Sequence, residues 1–263
     1  MRNISVRSMF VASEGNLLIQ FDFKQAETWV VAHMANEPNM KHSLLHGDIH
    51  TDTACVIYNC KADAVTKPMR YIGKRSNHAL AYREGYLMFT SSVNKESDKA
   101  PYVVITNKEG KRITETWHGY YNLKQWWGRI EYDLGQNHRT LKTPYGRIRT
   151  FFAPWGSELF KEATAFLPQS TAVDHLNGAI QPEVGIVGGL REIRRRYVAK
   201  GACKVVNQSH DSLIIEAANG EAHNLIEPIT QLLYRPMVIN GEEFRIPVEV
   251  EIGERWGELE KVA

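Results

Sequence analysis

Residues 16–23 of this chain have the sequence NLLIQFDF, and this stretch decides the fold. Its alternating apolar and polar side chains and its β-prone composition predict a half-buried strand that ends at Asp22. A helical pattern over residues 25–35 follows directly. Farther along, strand-like and helical segments follow one another without regular βαβ alternation. This order favours an α+β fold over a doubly wound parallel sheet.

The same patterns assign the remaining segments. Further strands are predicted over residues 204–208, 212–216 and 246–252. Further helices are predicted over residues 66–82, where Gly85 is the stop signal, and over residues 119–137, 163–179, 187–199 and 221–233. Turn sequences at residues 107–110 (NKEG) and 144–146 (PYG) predict two hairpins. The polar residues 91–101 are expected to form a surface loop or insertion.

Length and composition limit the class of protein. The 263 residues are enough to bury a large core in one or two domains. No apolar run approaches the ~20 residues that span a bilayer. The net charge of +2 permits a polyanionic partner without requiring one. The three cysteines lack the spacing of a zinc site, and the polar N-terminus lacks a signal sequence. These features predict a reduced compartment, and we expect a cytoplasmic protein.

Four residues, each four positions after the last, define a candidate nucleotide site: Arg70, Lys74, His78 and Tyr82. This spacing places them near one face of the helix predicted over residues 66–82. Arginine and lysine suit phosphate groups, and histidine and tyrosine offer flat surfaces to a base. The alternative is a solvated basic stripe with two half-buried aromatic side chains, since such spacing often arises by chance.

Two aspartates at predicted strand ends are candidate metal ligands. Asp22 follows an apolar strand, and Asp211 lies in a turn between two β-prone runs. Carboxylates in such positions can hold the paired divalent cations of an in-line phosphoryl displacement. The alternative is that each is an ordinary turn aspartate, which is the commonest explanation of a lone aspartate at a strand end.

Several segments together resemble a known family. They are RNISVR (2–7), DFKQAE (22–27), DIH (48–50), the Arg70-to-Tyr82 series, QSTAVD (169–174), QSHD (208–211) and IPVEVEIGERW (246–256). In this order they resemble the palm and fingers regions of a family A, polymerase I-like DNA polymerase. DFKQAE is similar to its motif A, the Arg70-to-Tyr82 series to motif B, and QSHD to motif C. The resemblance covers nearly the whole chain.

The resemblance implies a role for each matching residue. Asp22 and Asp211, with the backbone carbonyl of Phe23, would bind two Mg²⁺ ions, for which Mn²⁺ can substitute. Lys74 would act in catalysis, and Glu27 would be the steric gate that excludes a ribose 2′-hydroxyl. The residues implied in dNTP binding are Arg7, Gln25, Glu27, His50, Arg70, Lys74, His78 and Tyr82. The residues implied in primer-template binding are Arg147, Gln169 and His210.

The implied activity is DNA-directed DNA polymerisation from dNTPs onto a primer 3′-hydroxyl. The implied partners are primer-template DNA and dNTPs. We expect palm regions at residues 1–34 and 156–263, and fingers at residues 35–155 with an insertion near residues 87–112. Thumb and exonuclease domains are expected to be absent, so a separately encoded thumb or exonuclease chain is a candidate partner.

Departures from the family pattern leave alternatives open. His78 stands where the family usually has Phe or Tyr, and Arg83 and Trp29 replace a usual glycine and arginine. Ser212 replaces the acidic residue after Asp211. Similarity of motifs B and C to phage-type RNA polymerases suggests a phage-derived branch. The alternatives are therefore a thumbless half of a split polymerase, a DNA-binding relic that is inactive alone, and an RNA polymerase-like enzyme, against which Glu27 argues.

Overall fold

The computed structural model describes residues 6–97, 101–182 and 184–262, which form two compact units. The first, called the sheet unit, contains the described residues through Ala26, together with Thr143–Arg147 and the chain from Gln169 onward. The second, called the helical unit, contains Glu27–Lys142 and Ile148–Pro168.

The strands of the described residues are β1 Asn16–Phe23, β2 Thr140–Lys142, β3 Ile148–Thr150, β4 Lys204–Ser209, β5 Ser212–Ala218, β6 Met237–Ile239, β7 Glu242–Phe244, β8 Val248–Gly253 and β9 Glu260–Lys261. The helices are α1 Ala26–Met34, α2 Pro38–His46, α3 Ile49–Tyr58, α4 Lys67–Ala81, α5 Tyr86–Lys95, α6 Asn107–Tyr120, α7 Lys124–Gln136, α8 Ser157–Asn177, α9 Gly189–Arg196 and α10 Asn219–Leu233. No helix of these residues is both long and apolar enough to cross a membrane.

The sheet unit is built on a five-stranded antiparallel sheet with the order β4-β5-β1-β8-β9. Strand β1 lies at its centre. The side chains of Ile19, Phe21 and Phe23 are almost completely buried on one face of β1. Burial of each such side chain contributes about 1.5–3 kcal/mol. Helix α10 packs against β1 and β5 through its own apolar face, which closes this side of the sheet.

The opposite face of β1 carries polar side chains toward the end of the strand. Asp22 lies directly across from Ser212 of β5 and from Glu249 of β8. Residues opposite each other in antiparallel strands point to the same face of a sheet. Three strands therefore present Asp22, Ser212 and Glu249 on one surface, and this surface is where the candidate chemistry of the sheet unit lies.

The helical unit depends on a close approach between α3 and α4. A Cβ atom built on Gly73 of α4 would overlap the backbone carbonyl oxygen of His50 in α3, and it would also lie 3.1 Å from the backbone nitrogen of Ala54. Only glycine allows the two helix backbones to come this near. The contact fixes the position of His50 beside α4.

A buried hydrogen-bond network joins the same helices to α6. The carboxamide oxygen of Asn77 accepts hydrogen bonds from the hydroxyl of Thr53 at 3.0 Å and from the indole nitrogen of Trp117 at 2.9 Å. The Thr53 hydroxyl also lies 2.9 Å from the phenol oxygen of Tyr121. Buried polar groups need such partners, so the network specifies how α3, α4 and α6 pack.

Most predicted elements are confirmed. Strand β1 spans the predicted residues 16–23, and the turn at His210-Asp211 separates β4 from β5. Helix α4 begins after Thr66, whose hydroxyl accepts a hydrogen bond from the backbone nitrogen of Met69. The hairpin around Pro144 is present as β2 and β3. The α+β class, with an antiparallel sheet and many helices, is therefore correct.

Three predictions are wrong. The hairpin predicted at residues 107–110 is the first turn of α6, because Thr106 and Glu109 form a reciprocal capping box there. The single helix predicted over residues 119–137 is interrupted, because Tyr121 leaves the helical conformation between α6 and α7. The loop predicted over residues 91–101 is partly helical, since α5 continues to Lys95, although α4 does end before Gly85, as predicted. Of that predicted loop, residues 98–100 lie outside the described residues.

Candidate active site

The two candidate metal ligands lie at the same end of neighbouring strands. Asp22 is the penultimate residue of β1, and Asp211 lies in the turn between β4 and β5. The backbone nitrogen of Phe23 donates a hydrogen bond to the carbonyl oxygen of Asp211 at 3.0 Å. This bond continues the β1–β5 pairing into the turn, so the two aspartates are brought together although 188 residues separate them in the sequence.

The electrostatic state of Asp22 reflects its crowded acidic surroundings. Its pKa is raised from the usual 3.8 to about 6, first by burial and then by the negative charges of Asp211, Glu249 and Glu251. The guanidinium of Arg7 acts in the opposite direction. A carboxylate in this position is destabilised unless a positive charge approaches it, which is the condition that a bound cation would satisfy.

These groups fit a hard divalent cation such as Mg²⁺, which prefers carboxylate, carbonyl and water oxygens. The protein ligands would be the carboxylates of Asp22 and Asp211 and the carbonyl of Phe23. Within residues 6–97, 101–182 and 184–262, no group of three or more His, Cys, Asp or Glu side chains is arranged to hold a metal ion. A cation here would therefore take much of its coordination from water or from a substrate phosphate.

Arg7, predicted to contact a triphosphate, belongs to this part of the sheet unit. It lies in a short 3₁₀ turn that spans Val6–Met9, and its guanidinium is 5.1 Å from the ring centre of Trp256. Stacking on an indole ring orients an arginine side chain. Gln25, the other dNTP candidate of this unit, is half-buried between β1 and α1 and has a φ of +57°.

The series of cationic side chains on α4 belongs to the helical unit. Arg70, Lys74 and His78 are exposed along this helix, and Tyr82 is its C-cap. Arg70 donates from Nε to the Oδ2 atom of Asp48 at 2.6 Å. The ion pair therefore holds the first member of the series in place. The predicted face is present, with its charged groups directed to solvent.

Asp48 also organises the start of α3, and its role was not predicted. Its side chain accepts from the backbone nitrogen of His50 at 3.3 Å and from the hydroxyl of Thr51 at 2.7 Å. Burial acts to raise the pKa of Asp48, but the hydrogen bonds from Arg70 and Thr51 outweigh burial and lower this pKa to about 2. The signal in the sequence is an aspartate directly before a helix, which is typical of an N-cap.

His50 is held uncharged beside the cationic series. Its pKa is lowered to about 4, first by burial and then by the charges of Arg70, Lys74 and His78, while the carboxylate of Asp48 acts in the opposite direction. The ring Nδ1 atom lies 3.3 Å from the side-chain nitrogen of Asn77. The structure thus brings His50, Arg70, Lys74 and His78 into one positively charged region, which a phosphate group would neutralise.

Glu27, the candidate steric gate, is hydrogen-bonded to the residue that ends α4. The phenol of Tyr82 donates a hydrogen bond to the Oε2 atom of Glu27. Burial, followed by the charge of Glu27, raises the pKa of Tyr82 well above its usual value, so this phenol remains a donor. His78 packs edge-on against Tyr82 with ring centres 5.7 Å apart. A small cavity of about 20 Å³ is bordered by these three side chains.

The three primer-template candidates all lie in the sheet unit. Arg147 donates from Nε to both carboxylate oxygens of Asp174, at 3.1 and 3.0 Å. Gln169 is half-buried in α8, five residues before Asp174, and His210 is exposed in the turn next to Asp211 with a φ of +37°. Arg147 is thus positioned by a buried partner while its own side chain remains half exposed.

The profile of DNA polymerase family A matches residues 1–258 of the chain. DNA polymerase I of Aquifex aeolicus is 27% identical over 259 residues, which cover 95% of this chain and 41% of that protein. The thermostable DNA polymerase I of Thermus aquaticus is 27% identical over 263 residues, which cover 95% of this chain and 28% of that protein.

A solved structure gives the same result for the fold. The POL domain of Pol1 from M. smegmatis, in complex with DNA primer-template and dNTP, has a TM-score of 0.74 and 19% identity, with 97% of this chain and 42% of that chain covered. The chain therefore belongs to DNA polymerase family A. It spans less than half the length of these relatives.

Proposed function

We propose that this chain is a catalytic region for template-directed nucleotidyl transfer from a dNTP to a primer 3′-hydroxyl. The observation that carries the proposal is the position of Asp22 near Asp211 at one end of the sheet. Burial and acidic neighbours raise the pKa of Asp22 to about 6, and a bound cation would stabilise its ionised form. The membership of the chain in DNA polymerase family A supports the same activity. The sheet unit would be the palm and the helical unit the fingers.

The residues of the sheet unit would hold divalent metal. Asp22, Asp211 and the carbonyl of Phe23 are the proposed ligands for Mg²⁺ or Mn²⁺. When bound, such ions neutralise phosphate charge and polarise phosphoryl oxygens. Arg7 would add a fixed positive charge near Asp22, as its effect on the pKa of that carboxyl indicates.

The residues of the helical unit would bind the triphosphate. Lys74 and Arg70 are cations on one helix, and His50 is a neutral hydrogen-bonding group beside them. Ammonium and guanidinium groups bind phosphate oxygens with short, charge-assisted hydrogen bonds. Since phosphoryl transfer is accelerated mainly by positioning and charge stabilisation, no covalent intermediate with the protein is required.

Glu27 would select deoxyribose, because its carboxylate is fixed by Tyr82 and would crowd a 2′-hydroxyl. His78 would lie near the incoming sugar and base. Arg147, Gln169 and His210 would contact the primer-template. The proposed substrates and partners are therefore dNTPs and primer-template DNA, and the proposed compartment is the cytoplasm, where such DNA is replicated or repaired.

Metal binding tests this proposal without requiring polymerisation. Electron paramagnetic resonance of Mn²⁺ with the purified chain should show binding that Asp22→Asn and Asp211→Asn each remove. Asp63→Asn is the matched control, since Asp63 is exposed in a separate 3₁₀ turn of the helical unit. Unchanged Mn²⁺ binding in both aspartate variants, or primer extension by either of them, would contradict the assignment.

A second candidate is a polymerase half that needs another chain for activity. The chain spans 41% or less of the length of the two bacterial enzymes. A duplex held by fewer phosphate contacts binds weakly, with a shallow dependence on salt. Short products at low salt from the chain alone, and longer products after addition of a thumb-bearing chain, would support this alternative. Long products from the chain alone at physiological salt would exclude it.

A further inference from the structure

The C-terminal end of α3 brings two cysteines together. Asn59 ends this helix in the left-handed conformation, with φ of 50° and ψ of 53°. The backbone nitrogens of Asn59 and Cys60 both donate to the carbonyl oxygen of Cys55, the latter at 3.1 Å. The bond from Cys60 is the 6→1 bond of a Schellman motif, and the bond from Asn59 is the 5→1 bond of the simpler αL motif; in both motifs the helix ends at one left-handed residue.

Helix ends of this kind often place two particular side chains in contact. The side chain of the residue that accepts the last hydrogen bonds and the side chain of the residue after the left-handed position frequently make an apolar contact. Here the two residues are Cys55 and Cys60. The 3.1 Å bond between the Cys60 nitrogen and the Cys55 oxygen limits the two Cα atoms to about 7 Å or less. Disulfides join Cα atoms within this limit.

The thiols themselves are accessible. Cys55 and Cys60 are both partly exposed, whereas Cys203 is buried in the sheet unit. Burial raises the pKa of the Cys55 thiol, and the adjacent Cys60 thiol and the Asp52 carboxylate raise it further. The influence of Cys60 on the pKa of Cys55 agrees with the short distance that the backbone hydrogen bond sets between the two residues. Since the thiolate is the reactive form, the pair reacts faster at mildly alkaline pH.

We propose that Cys55 and Cys60 form a dithiol modification site, which a hydroperoxide oxidises to an intramolecular disulfide. One thiolate attacks a peroxide oxygen, which leaves a sulfenic acid on the sulfur and releases water or an alcohol after proton uptake. The second sulfur then displaces the hydroxyl of the sulfenic acid as water and forms the S–S bond. The two thiols lose two hydrogen atoms in total, and the peroxide is reduced.

The position of this site gives the modification a structural effect. Helix α3 carries His50 near its start and the cysteine pair at its end, and the carbonyl oxygen of Ile57 in its last turn accepts a hydrogen bond from Arg112 at 2.7 Å. A disulfide would close the chain across the left-handed Asn59 and prevent the last turn from fraying. The dithiol does not depend on the proposed polymerase activity, and its test requires no nucleotide.

The test is mass spectrometry of the reduced, purified full chain after treatment with hydrogen peroxide at mildly alkaline pH. The protein is then denatured and alkylated with iodoacetamide. Relative to the untreated reduced chain, the peroxide-treated chain should be two hydrogen atoms lighter before alkylation. After alkylation, we expect a peptide that joins Cys55 to Cys60, and Cys203 should carry the label. Dithiothreitol should restore all three labels. Cys203→Ser is the matched control and should give the same linked peptide.

The single variants decide whether the two sulfurs act as a pair. In Cys55→Ser and Cys60→Ser, the remaining cysteine should accumulate sulfenic acid that dimedone traps, whereas the wild-type chain should give little dimedone adduct. Equal dimedone labelling of the wild type and the variants, or a disulfide between two chains, would overturn the proposal.

Phenylarsine oxide gives an independent readout, because trivalent arsenic binds two adjacent thiols and releases water. We expect it to bind one to one in the wild type and Cys203→Ser, and to bind far more weakly in either single variant. Equal binding by all of these proteins would show that the thiols are not adjacent.

Discussion

The phenol of Tyr82 donates a hydrogen bond to the carboxylate of Glu27. The two residues are far apart in the sequence, one at the end of α4 and the other in the first turn of α1. The bond holds a carboxylate in one orientation, and a fixed carboxylate excludes a substrate hydroxyl more sharply than a mobile one. Sugar selection should therefore depend on both residues.

We expect Glu27→Ala to raise ribonucleotide incorporation relative to deoxyribonucleotide incorporation, and Tyr82→Phe to do so by a smaller factor. A hydrogen bond to a charged group contributes about 1.5–3 kcal/mol. Loss of the Tyr82–Glu27 hydrogen bond in Tyr82→Phe should therefore change the selectivity for deoxyribonucleotides over ribonucleotides by roughly ten- to hundredfold. The measurement is kcat/KM for each nucleotide in single-nucleotide primer extension. A wild-type chain that already prefers ribonucleotides on a DNA template would support the RNA polymerase alternative instead.

The raised pKa of Asp22 predicts that the free energy of unfolding of the metal-free chain decreases as the pH rises. Burial and the neighbouring carboxylates raise this pKa from 3.8 to about 6, so the folded chain favours the protonated acid. The resulting stabilisation is complete below the unfolded-state pKa and is lost as the pH rises through about 6. Asp22→Asn should therefore be more stable than the wild type at pH 7 by about 1–3 kcal/mol, with little difference near pH 4.

Urea unfolding in the presence of a chelator measures this difference at each pH. Added Mg²⁺ should reduce the difference in stability between Asp22→Asn and the wild type at pH 7. Mg²⁺ would bind the ionised carboxylates of Asp22 and Asp211 in the wild type but not in the variant. Asp63→Asn should behave as the wild type throughout. A gap that does not change with pH would show that Asp22 is not the group responsible.

Lys74→Ala should weaken dNTP binding without affecting the fold. Lys74 is exposed in the cationic series of α4, so its removal leaves no buried group unpaired. Loss of one charge-assisted contact to a phosphate corresponds to roughly a ten- to hundredfold rise in KM or Kd. Lys67→Ala is the matched control, since Lys67 is exposed in the first turn of the same helix. Equal effects of the two substitutions would indicate only a general loss of charge.

Gly73→Ala should destabilise the helical unit, because the added methyl group would meet the carbonyl oxygen of His50. Overpacking of this kind typically costs about 1–3 kcal/mol. Gly128→Ala in α7 is the opposite control, since nothing lies within 4 Å of a Cβ atom at that position. It should stabilise the chain by about 0.5–1 kcal/mol. Thermal unfolding of both variants measures the difference, and similar shifts would argue against a close α3–α4 contact.

The features that could be predicted from the sequence are those that local patterns determine. Alternation and β-prone composition predicted β1, and the local helix signals over residues 66–82 predicted α4. The hairpin expected at residues 107–110 failed because NKEG suits a turn, while Thr106 and Glu109 form a capping box that starts a helix. Helices α2 and α3 were not predicted, because each has at most ten residues and little apolar periodicity of its own.

The candidate site shows the same division between local and nonlocal information. Asp22, Lys74 and Asp211 stand in recognisable motifs. Glu249 was not predicted, because its position opposite Asp22 depends on the register between β1 and β8. The alternation of VEVEIG does indicate that Glu249 and Glu251 share a face, but only the pairing of strands shows which residues they face.

The central position of β1 has a consequence for the order in which the molecule opens. Exposing the backbone around Asp22 requires separation from β5 on one side and from β8 on the other. Amide hydrogens of β1 should therefore exchange with solvent among the slowest in the chain, through global unfolding rather than local fluctuation. Asp22, the residue proposed to bind metal, would then be among the last to lose its native surroundings. Partly unfolded forms of the chain would keep the strands around Asp22 paired.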